Sequence, residues 1–315
     1  MLVVNPNLCF DRTLTVEEFA VGTVSRPSSV VVSAGGKGVN VARTARDLGE
    51  PALLVGLLAD REGRRLSELL RGEGLDFSPV PVAGEVRSAT IVLESSGRAT
   101  VLNEPGPVLG ESDLDRLLAH VEAELASVGG PLVCSGSLPP GLPVDAFARL
   151  TTLGRRVDAA VVVDAARAAL EATLPAGPDL VTPNLAEAEG LVSGTVVEDV
   201  ETERTAKAEV VDRAAKAALG LVERGARRAV VTAGGHGVSA AVDGTTTWID
   251  APAVAVANPI GAGDSFTSGV AVALARGADW LDAVRHGVVV ASAAVERHGA
   301  GRVDPTRVAA LGGLR

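Results

Sequence analysis

Asp264 stands where a carboxylate is unexpected, at the opening of a helix. The run Asn258-Pro259-Ile260-Gly261-Ala262-Gly263-Asp264-Ser265-Phe266 follows the β-prone stretch Val254–Ala257 and leads into a helical pattern over 265–276. Its glycines allow a sharp turn that brings backbone N–H groups close to a ligand. The free N–H groups of a first helical turn, with the helix dipole, attract an anion. A carboxylate beside such an anion hole is chemically sensible if it takes the proton of a hydroxyl that then attacks phosphorus held in the hole. Taken alone, the same residues serve equally as a tight turn with Asp264 as a helix cap.

Four more stretches carry side chains suited to polar ligands. Ser33-Ala34-Gly35-Gly36-Lys37-Gly38-Val39-Asn40-Val41-Ala42-Arg43 joins a strand to a helix. It is neither a Walker A loop nor Gly-x-Gly-x-x-Gly. Its glycines let a small polar ligand lie against the backbone, and Asn40 can donate to and accept from hydroxyls. Thr182-Pro183-Asn184-Leu185-Ala186-Glu187 places an amide and a carboxylate three residues apart on one helical face. That pair suits a hydrated Mg²⁺, which keeps most of its waters, and suits a capping box equally well. Val231-Thr232-Ala233-Gly234-Gly235-His236-Gly237-Val238 reads as a strand end and a glycine turn, able to offer a hydroxyl and N–H groups to phosphate or to form a plain β-turn. Ser135-Gly136-Ser137-Leu138-Pro139-Pro140-Gly141 is a stiff loop after a strand, where ligands gather in parallel sheets. The four histidines, His120, His236, His286 and His298, have no metal-ligand spacing, and there is no Gly-x-Ser-x-Gly elbow.

The elements that must position these groups alternate. Apolar runs at Leu2–Val4, Val30–Val32, Leu53–Val55, Leu132–Cys134, Val161–Val163, Leu180–Val181 and Val230–Thr232 suit strands, several of them buried on both faces of a parallel sheet. Between them, Val39, Ala42, Ala45 and Leu48 make one helical stripe, ended at Gly49. Leu114, Leu117, Leu118, Val121 and Leu125 make another, capped by Ser112, and 206–224 and 262–276 add two more. Alternation of β and α predicts an α/β sandwich. Two stretches, Phe19–Ser33 and Arg87–Asn103, are rich in Val, Thr and Ser without helical period. The second holds Ser95-Ser96-Gly97 between β-prone runs, a hairpin signal. They form either a small projecting sheet or extra edge strands. The acidic segment 193–204 reads as a solvated loop.

Composition narrows the partners. The 315 residues carry 29 Lys plus Arg and 39 Asp plus Glu, a net charge of −10, with seven aromatics (five Phe, two Trp, no Tyr). Nucleic-acid binding needs clustered cations and stacking platforms, so it is not expected. Two distant cysteines, Cys9 and Cys134, suit thiols in a reducing compartment. The first residues have no basic-then-apolar leader, and no apolar run reaches the ~18 residues of a membrane span. The expectation is a cytoplasmic protein that does not engage membranes, built as one domain over 1–315.

Together and in this order the motifs resemble the PfkB (ribokinase-like) carbohydrate kinase family over nearly the whole chain. Asn258–Asp264 is similar to its C-terminal signature, Gly35–Asn40 to its N-terminal one, Asn184 and Glu187 to its Asn-x-x-Glu motif, and Thr232, Gly234 and Gly237 to its nucleotide loop. The stretches 34–43, 103–107 and 136–141 look most like the hexose-phosphate branch, which includes 1-phosphofructokinase, tagatose-6-phosphate kinase and the minor 6-phosphofructokinase. The resemblance implies a three-layer α/β/α sandwich with a small β-sheet lid from about 12–33 and 87–103, often paired in homodimers. It implies ATP-dependent, Mg²⁺-assisted phosphorylation of a ketohexose phosphate, and less closely a kinase of an unphosphorylated sugar or nucleoside, or a non-catalytic sensor. It further implies Asp264 as catalytic base and Gly261, Ala262 and Gly263 as anion hole. Asp11, Gly35, Gly36 and Asn40 would hold the sugar, and Lys37, Arg87 and Ser137, with Arg26 as a further candidate, its existing phosphate. Asn184, Thr232, Gly234 and Gly237 would face ATP, and Glu187 would orient Mg²⁺ through water. Three departures from the family pattern stand out: Asp11 lies two residues later than usual after Asn5-Pro6, Asp164-Ala165-Ala166-Arg167 lacks the usual glycine, and Ser88-Ala89-Thr90 after Arg87 lacks the Asn often found there.

Overall fold

A nine-stranded sheet organises the chain, in the order β13-β12-β11-β10-β9-β8-β1-β4-β5. The structure, a computed structural model, describes residues 1–165, 167–194 and 205–314. The acidic segment expected as a solvated loop lies, from 195 on, outside the described residues. The central strands β1 (Leu2–Asn5), β4 (Leu53–Arg61), β8 (Leu132–Ser135), β9 (Val161–Asp164), β10 (Leu180–Val181) and β11 (Ala229–Thr232) are all parallel, as is edge strand β5 (Asp76–Glu85). Their apolar runs are the sheet's interior: Leu2 to Val4 and Val161 to Val163 have no exposed surface, as strands covered on both faces require. At the far edge β12 (Gly237–Val242) and β13 (Thr245–Asp250) turn antiparallel.

Helices cover both faces of this sheet. On one, α8 (Ala262–Ala275) packs against both α1 (Lys37–Asp47) and α9 (Trp280–Ala294). On the other lie α3 (Glu111–Val128), α4 (Ala146–Arg156) and α7 (Lys207–Glu223). The short helices α2 (Gly63–Gly72), α5 (Arg167–Thr173), α6 (Leu185–Val192) and α10 (Pro305–Ala310) complete the layers. The stripe Leu114, Leu117, Val121 and Leu125 is buried as its period requires. Its helix starts one residue before the predicted Ser112 cap, however: Gly110 is the cap, and Asp113 Oδ2 accepts the Gly110 amide at 2.9 Å. Helix α1 begins at Lys37, directly after Gly36, so the glycine-rich turn and Lys37 sit at its first turn. Phe266, 2% exposed, anchors α8 just beyond Asp264. Burial of one such ring stabilises by about 1.5–3 kcal/mol, which fixes the rotation of the helix that carries the carboxylate.

The two strand-rich stretches form a separate four-stranded sheet, β3-β2-β6-β7. It comprises β2 (Cys9–Val16), β3 (Ser29–Gly35), β6 (Arg87–Glu94) and β7 (Ala99–Asn103), with the predicted hairpin turn at 95–98. Strand β2 pairs antiparallel with β3 and parallel with β6. The first stretch differs from its sequence reading: strand β2 is already formed at Cys9, and Phe19–Ser28 connects β2 to β3 outside any strand.

Candidate active site

One cavity of about 1270 Å³ opens along the carboxyl ends of the parallel strands. It lies where strand order reverses, with β4 on one side of β1 and β8 on the other, the usual ligand position in open α/β sheets. Asn5 ends β1, Gly136 follows β8, Asp164 ends β9, Thr182 follows β10 and Thr232 ends β11, and all line the cavity. The small sheet closes one flank with Asp11, Arg87, Ala89 and Ile91. Single-ligand pockets run to about 300–1,000 Å³, so this volume accommodates two ligands side by side.

Asp264 lines the cavity and is 6% exposed. Gly261 caps α8 in the left-handed region (φ 83°), and Asn258 braces the turn: its Oδ1 accepts the Ile260 amide at 3.0 Å and its Nδ2 donates to the His298 carbonyl at 2.8 Å. The Ala262 amide is engaged by the Pro259 carbonyl at 3.2 Å. The Gly263 and Asp264 amides have no intrahelical partner in the first turn and stay open to an anion. Gly261, Ala262 and Gly263, the residues expected to form the hole, all border the cavity, with the Ala262 amide turned toward Pro259. Burial pushes the Asp264 carboxyl up to about 7. Lys37 and the Asn40 donor oppose the rise, and the Asp164 and Asp11 charges add to it. Asn40 Nδ2 donates to Asp264 Oδ2 at 2.8 Å.

On the flank formed by the small sheet, Arg87 is held by neutral oxygens. Its Nε and Nη2 donate to the Asn7 carbonyl at 3.3 and 3.1 Å, and its Nη1 to the Glu104 carbonyl at 3.3 Å. Among the described residues it forms no ion pair with a carboxylate. Ser137 sits beside it and accepts from Asn7 Nδ2 at 3.0 Å. Asp11 and Gly36 line the same flank. Burial raises the Asp11 carboxyl, partly offset by the Cys9 thiol, which donates to it at 3.4 Å, and by Arg43 and Arg87. Gly35 does not line the cavity: it lies beneath Asp11, whose carboxylate occupies the space a Cβ would need. Lys37, expected at the substrate's phosphate, lines the cavity in an ion pair with Asp164 at 2.8 Å. Burial works against its ammonium, but Asp164, Asp264 and Glu187 outweigh burial and hold it protonated. Arg26 is exposed and lies outside the cavity.

On the opposite flank Asn184 caps α6, and the capping box is real. Asn184 Oδ1 accepts the Glu187 amide at 2.8 Å, and Glu187 Oε2 accepts the Asn184 amide at 3.0 Å. Both residues also line the cavity, and Asn184 Nδ2 takes no part in the box. The Thr232 amide donates to the Pro183 carbonyl at 3.0 Å, which ties the end of β11 to this helix start. Gly234 and Gly237 border the same space. Gly237 is a glycine for a packing reason: at φ 129° a Cβ would come within 2.2 Å of the Ile249 carbonyl. Val238, Val254, Val288 and Val295 make an apolar wall beyond them.

Three participants were missed in the sequence: Asn7, Asp164 as the partner of Lys37, and Arg43, which bonds Asn40 Oδ1 at 2.7 Å. Arg43 lies three residues after Asn40 on one helical face, a spacing that was there to be used.

Residues 2–307 match the pfkB family carbohydrate kinases. The chain belongs to this family. A PfkB relative, the 1-phosphofructokinase of Rhodobacter capsulatus, is 31% identical over 309 residues, which cover 98% of this chain and 94% of that protein. Phosphofructokinase-2 from Escherichia coli in complex with fructose-6-phosphate superposes with a TM-score of 0.83 at 27% identity, covering 99% of this chain and 98% of that one. The same enzyme in a tetrameric inhibited form gives 0.85 at 27%, covering 98% of each chain. A possible 1-phosphofructokinase from Thermotoga maritima gives 0.84 at 26%, covering 98% and 96%. The PfkB fold, a ribokinase-like α/β sandwich with a second small sheet, and carbohydrate kinase activity follow from these matches. Among the described residues no helix is long and apolar enough to cross a membrane.

Proposed function

We propose that this PfkB kinase transfers the γ-phosphoryl group of ATP to a hydroxyl of a ketohexose phosphate, giving the bisphosphate, with fructose 1-phosphate the first substrate to test. The observation that carries a phosphorylated acceptor is Arg87. A guanidinium gripped by three hydrogen bonds to carbonyl oxygens, with no carboxylate paired to it among the described residues, has its charge left for an anion. Ser137 and Asn7 beside it supply neutral polar contacts.

Asp264 acts as the base. Its carboxyl titrates near neutrality, so it is ionised often enough to act and basic enough to accept the hydroxyl proton. The Gly263 and Asp264 amides face the phosphoryl oxygens, where charge builds up during transfer. Asp11, Gly36 and Asn40 orient the sugar so that the attacking oxygen meets Asp264. Asn184, Thr232 and the open turn at Gly234 hold the nucleotide's phosphates, and the valine wall takes its base. Glu187 offers the oxygen-donor chemistry of Mg²⁺, which arrives largely hydrated and held by phosphates. Bound Mg²⁺ supplies charge neutralisation on the phosphates. Lys37, paired to Asp164 within the field of Asp264 and Glu187, belongs at the transferred group. The small sheet acts as a lid that excludes water, so that ATP is not hydrolysed.

A second copy of the chain is the proposed partner of the small sheet, where Val30, Val31, Val101 and Leu102 expose 45–60% of their surface. Higher assembly, as in the tetrameric relative, builds on that pair. The free buried thiols Cys9 and Cys134 fit a reducing cytoplasm.

The test is ADP release with fructose 1-phosphate, fructose 6-phosphate, tagatose 6-phosphate and ribose, for the parent and Asp264→Asn. A ketohexose phosphate should be preferred, and the variant should lose about 10²–10⁴ in kcat. Preference for ribose would overturn the substrate class, and unchanged turnover in the variant would remove Asp264 as the base.

A further inference from the structure

Arg43 is 4% exposed on α1 and makes five hydrogen bonds. Nε donates to Glu73 Oε2 at 2.5 Å, and Nη2 to Glu73 Oε1 at 2.9 Å and to the Ala34 carbonyl at 2.7 Å. Nη1 donates to Asn40 Oδ1 at 2.7 Å and to the Ala300 carbonyl at 3.3 Å. A guanidinium has five N–H groups, so five acceptors match its capacity. The bidentate Glu73 carboxylate locks the rotation of the fork. The fork therefore presents a donor, in a fixed place, to one atom of Asn40.

We propose that Arg43 is the positioning residue of the catalytic base: it fixes the Asn40 amide so that Nδ2, and not Oδ1, meets Asp264. This rests on the reading of Asp264 as that base. An amide side chain has nearly the same shape after a half-turn. The half-turn would set Oδ1 against the Asp264 carboxylate and Nδ2 against the Arg43 guanidinium, acceptor facing acceptor and donor facing donor. Arg43 makes that arrangement untenable. The relay Glu73–Arg43–Asn40–Asp264 thus runs from a partly exposed glutamate just past the end of α2 to the buried carboxylate on α8. Lysine keeps the charge and cannot reproduce the fork.

The other charged groups around the relay stay in place when Arg43 changes. Asp264 feels Lys37 from α1, Asp164 from the end of β9 and Asp11 from β2. Asp11 in turn feels Arg43, Arg87 and Glu73. Because Arg43→Lys preserves the charge, it isolates the orientation of Asn40 from these fields.

The experiment compares pH profiles of kcat for Arg43→Lys, Asn40→Ala, the double variant and Glu73→Gln, with thermal melts as a folding control. Arg43→Lys should lower kcat about tenfold and move the acid limb up by about 0.5–1 pH unit, with the KM for ATP within about twofold of the parent. The double variant should show the limb of Asn40→Ala alone, because Arg43 acts through Asn40. A folded Arg43→Lys with parental kcat and limb overturns the proposal, as do additive limb shifts in the double variant. If Arg43→Lys does not fold, Glu73→Gln decides: a smaller upward shift supports the relay, and a parental limb refutes it. Asp264→Asn separates the two layers, since full turnover there removes the base assignment whatever the Arg43 variants do.

Discussion

Truncating Arg87 to alanine should raise the KM for the sugar phosphate and leave ATP nearly untouched. The guanidinium is anchored on the Asn7 and Glu104 carbonyls and, among the described residues, forms no ion pair, although Asp11 feels its charge. Its contact with a phosphate would be a charge-assisted hydrogen bond worth about 1.5–3 kcal/mol. At 1.4 kcal/mol per decade that is about a 10- to 150-fold rise in KM. The nucleotide flank is remote. Arg87 bonds a residue just past β1, while Thr232 ends β11, four strands away through β8, β9 and β10. At ~4.8 Å per strand the separation is about 19 Å, roughly two Debye lengths in physiological salt. The KM for ATP should therefore stay within about twofold. Initial rates measured by coupled ADP detection, varying each substrate in turn, make the comparison. An unphosphorylated ketohexose supplies a control, because its weak turnover should not respond to the substitution. Equal effects on the two KM values, or equal losses for phosphorylated and unphosphorylated sugar, would refute the phosphate role of Arg87.

Three other outcomes are expected. Only the ionised Asp264 can accept a proton, so kcat should fall as pH drops through its raised pKa. Asn40→Ala removes a donor that favours the ionised form and should move this acid limb to higher pH by about one unit; a pH–rate profile with an unmoved limb contradicts the hydrogen bond's role. Glu187→Gln should raise the Mg²⁺ concentration for half-maximal rate about tenfold, measured by titrating Mg²⁺ at fixed ATP, and an unaltered titration would place the metal elsewhere. Leu102→Glu, which puts a charge on the exposed small-sheet face, should sediment as a monomer at micromolar concentration, and assembly identical to the parent would move the interface away from that face.

The parallel core was legible because its runs are apolar throughout, as at Val161–Val163, and helix α3 because its stripe keeps a clean period. Edge strand β5 was not, since Asp-Phe-Ser-Pro-Val-Pro-Val contains two prolines that read as strand breakers. They are tolerated there because β5 bonds only to β4. The start of β2 at Cys9 was hidden by Asp11 and Arg12, polar residues in a strand of which one face meets the cavity. At the site, residue types within single motifs were readable: Asn40, Asp264, Asn184 and Glu187 all reach the cavity. What joins motifs was not. The partner of Lys37 lies 127 residues away and that of Asn40 224 residues away. Nor could sequence show that the Ala262 amide turns back on Pro259.

The small sheet meets the main body through four short connections: residues 6–8, Gly36, Val86 and residues 104–110. Each carries or adjoins a residue that lines the cavity, namely Asn7, Lys37, Arg87 and Glu104, at the end proposed to take the sugar phosphate. The joints and the residues proposed to face the sugar are thus the same stretches of chain. An engineer seeking a new acceptor could not remodel one without detuning the other, whereas the tips at 17–28 and 95–98, remote from these joints, are where added sequence should be tolerated.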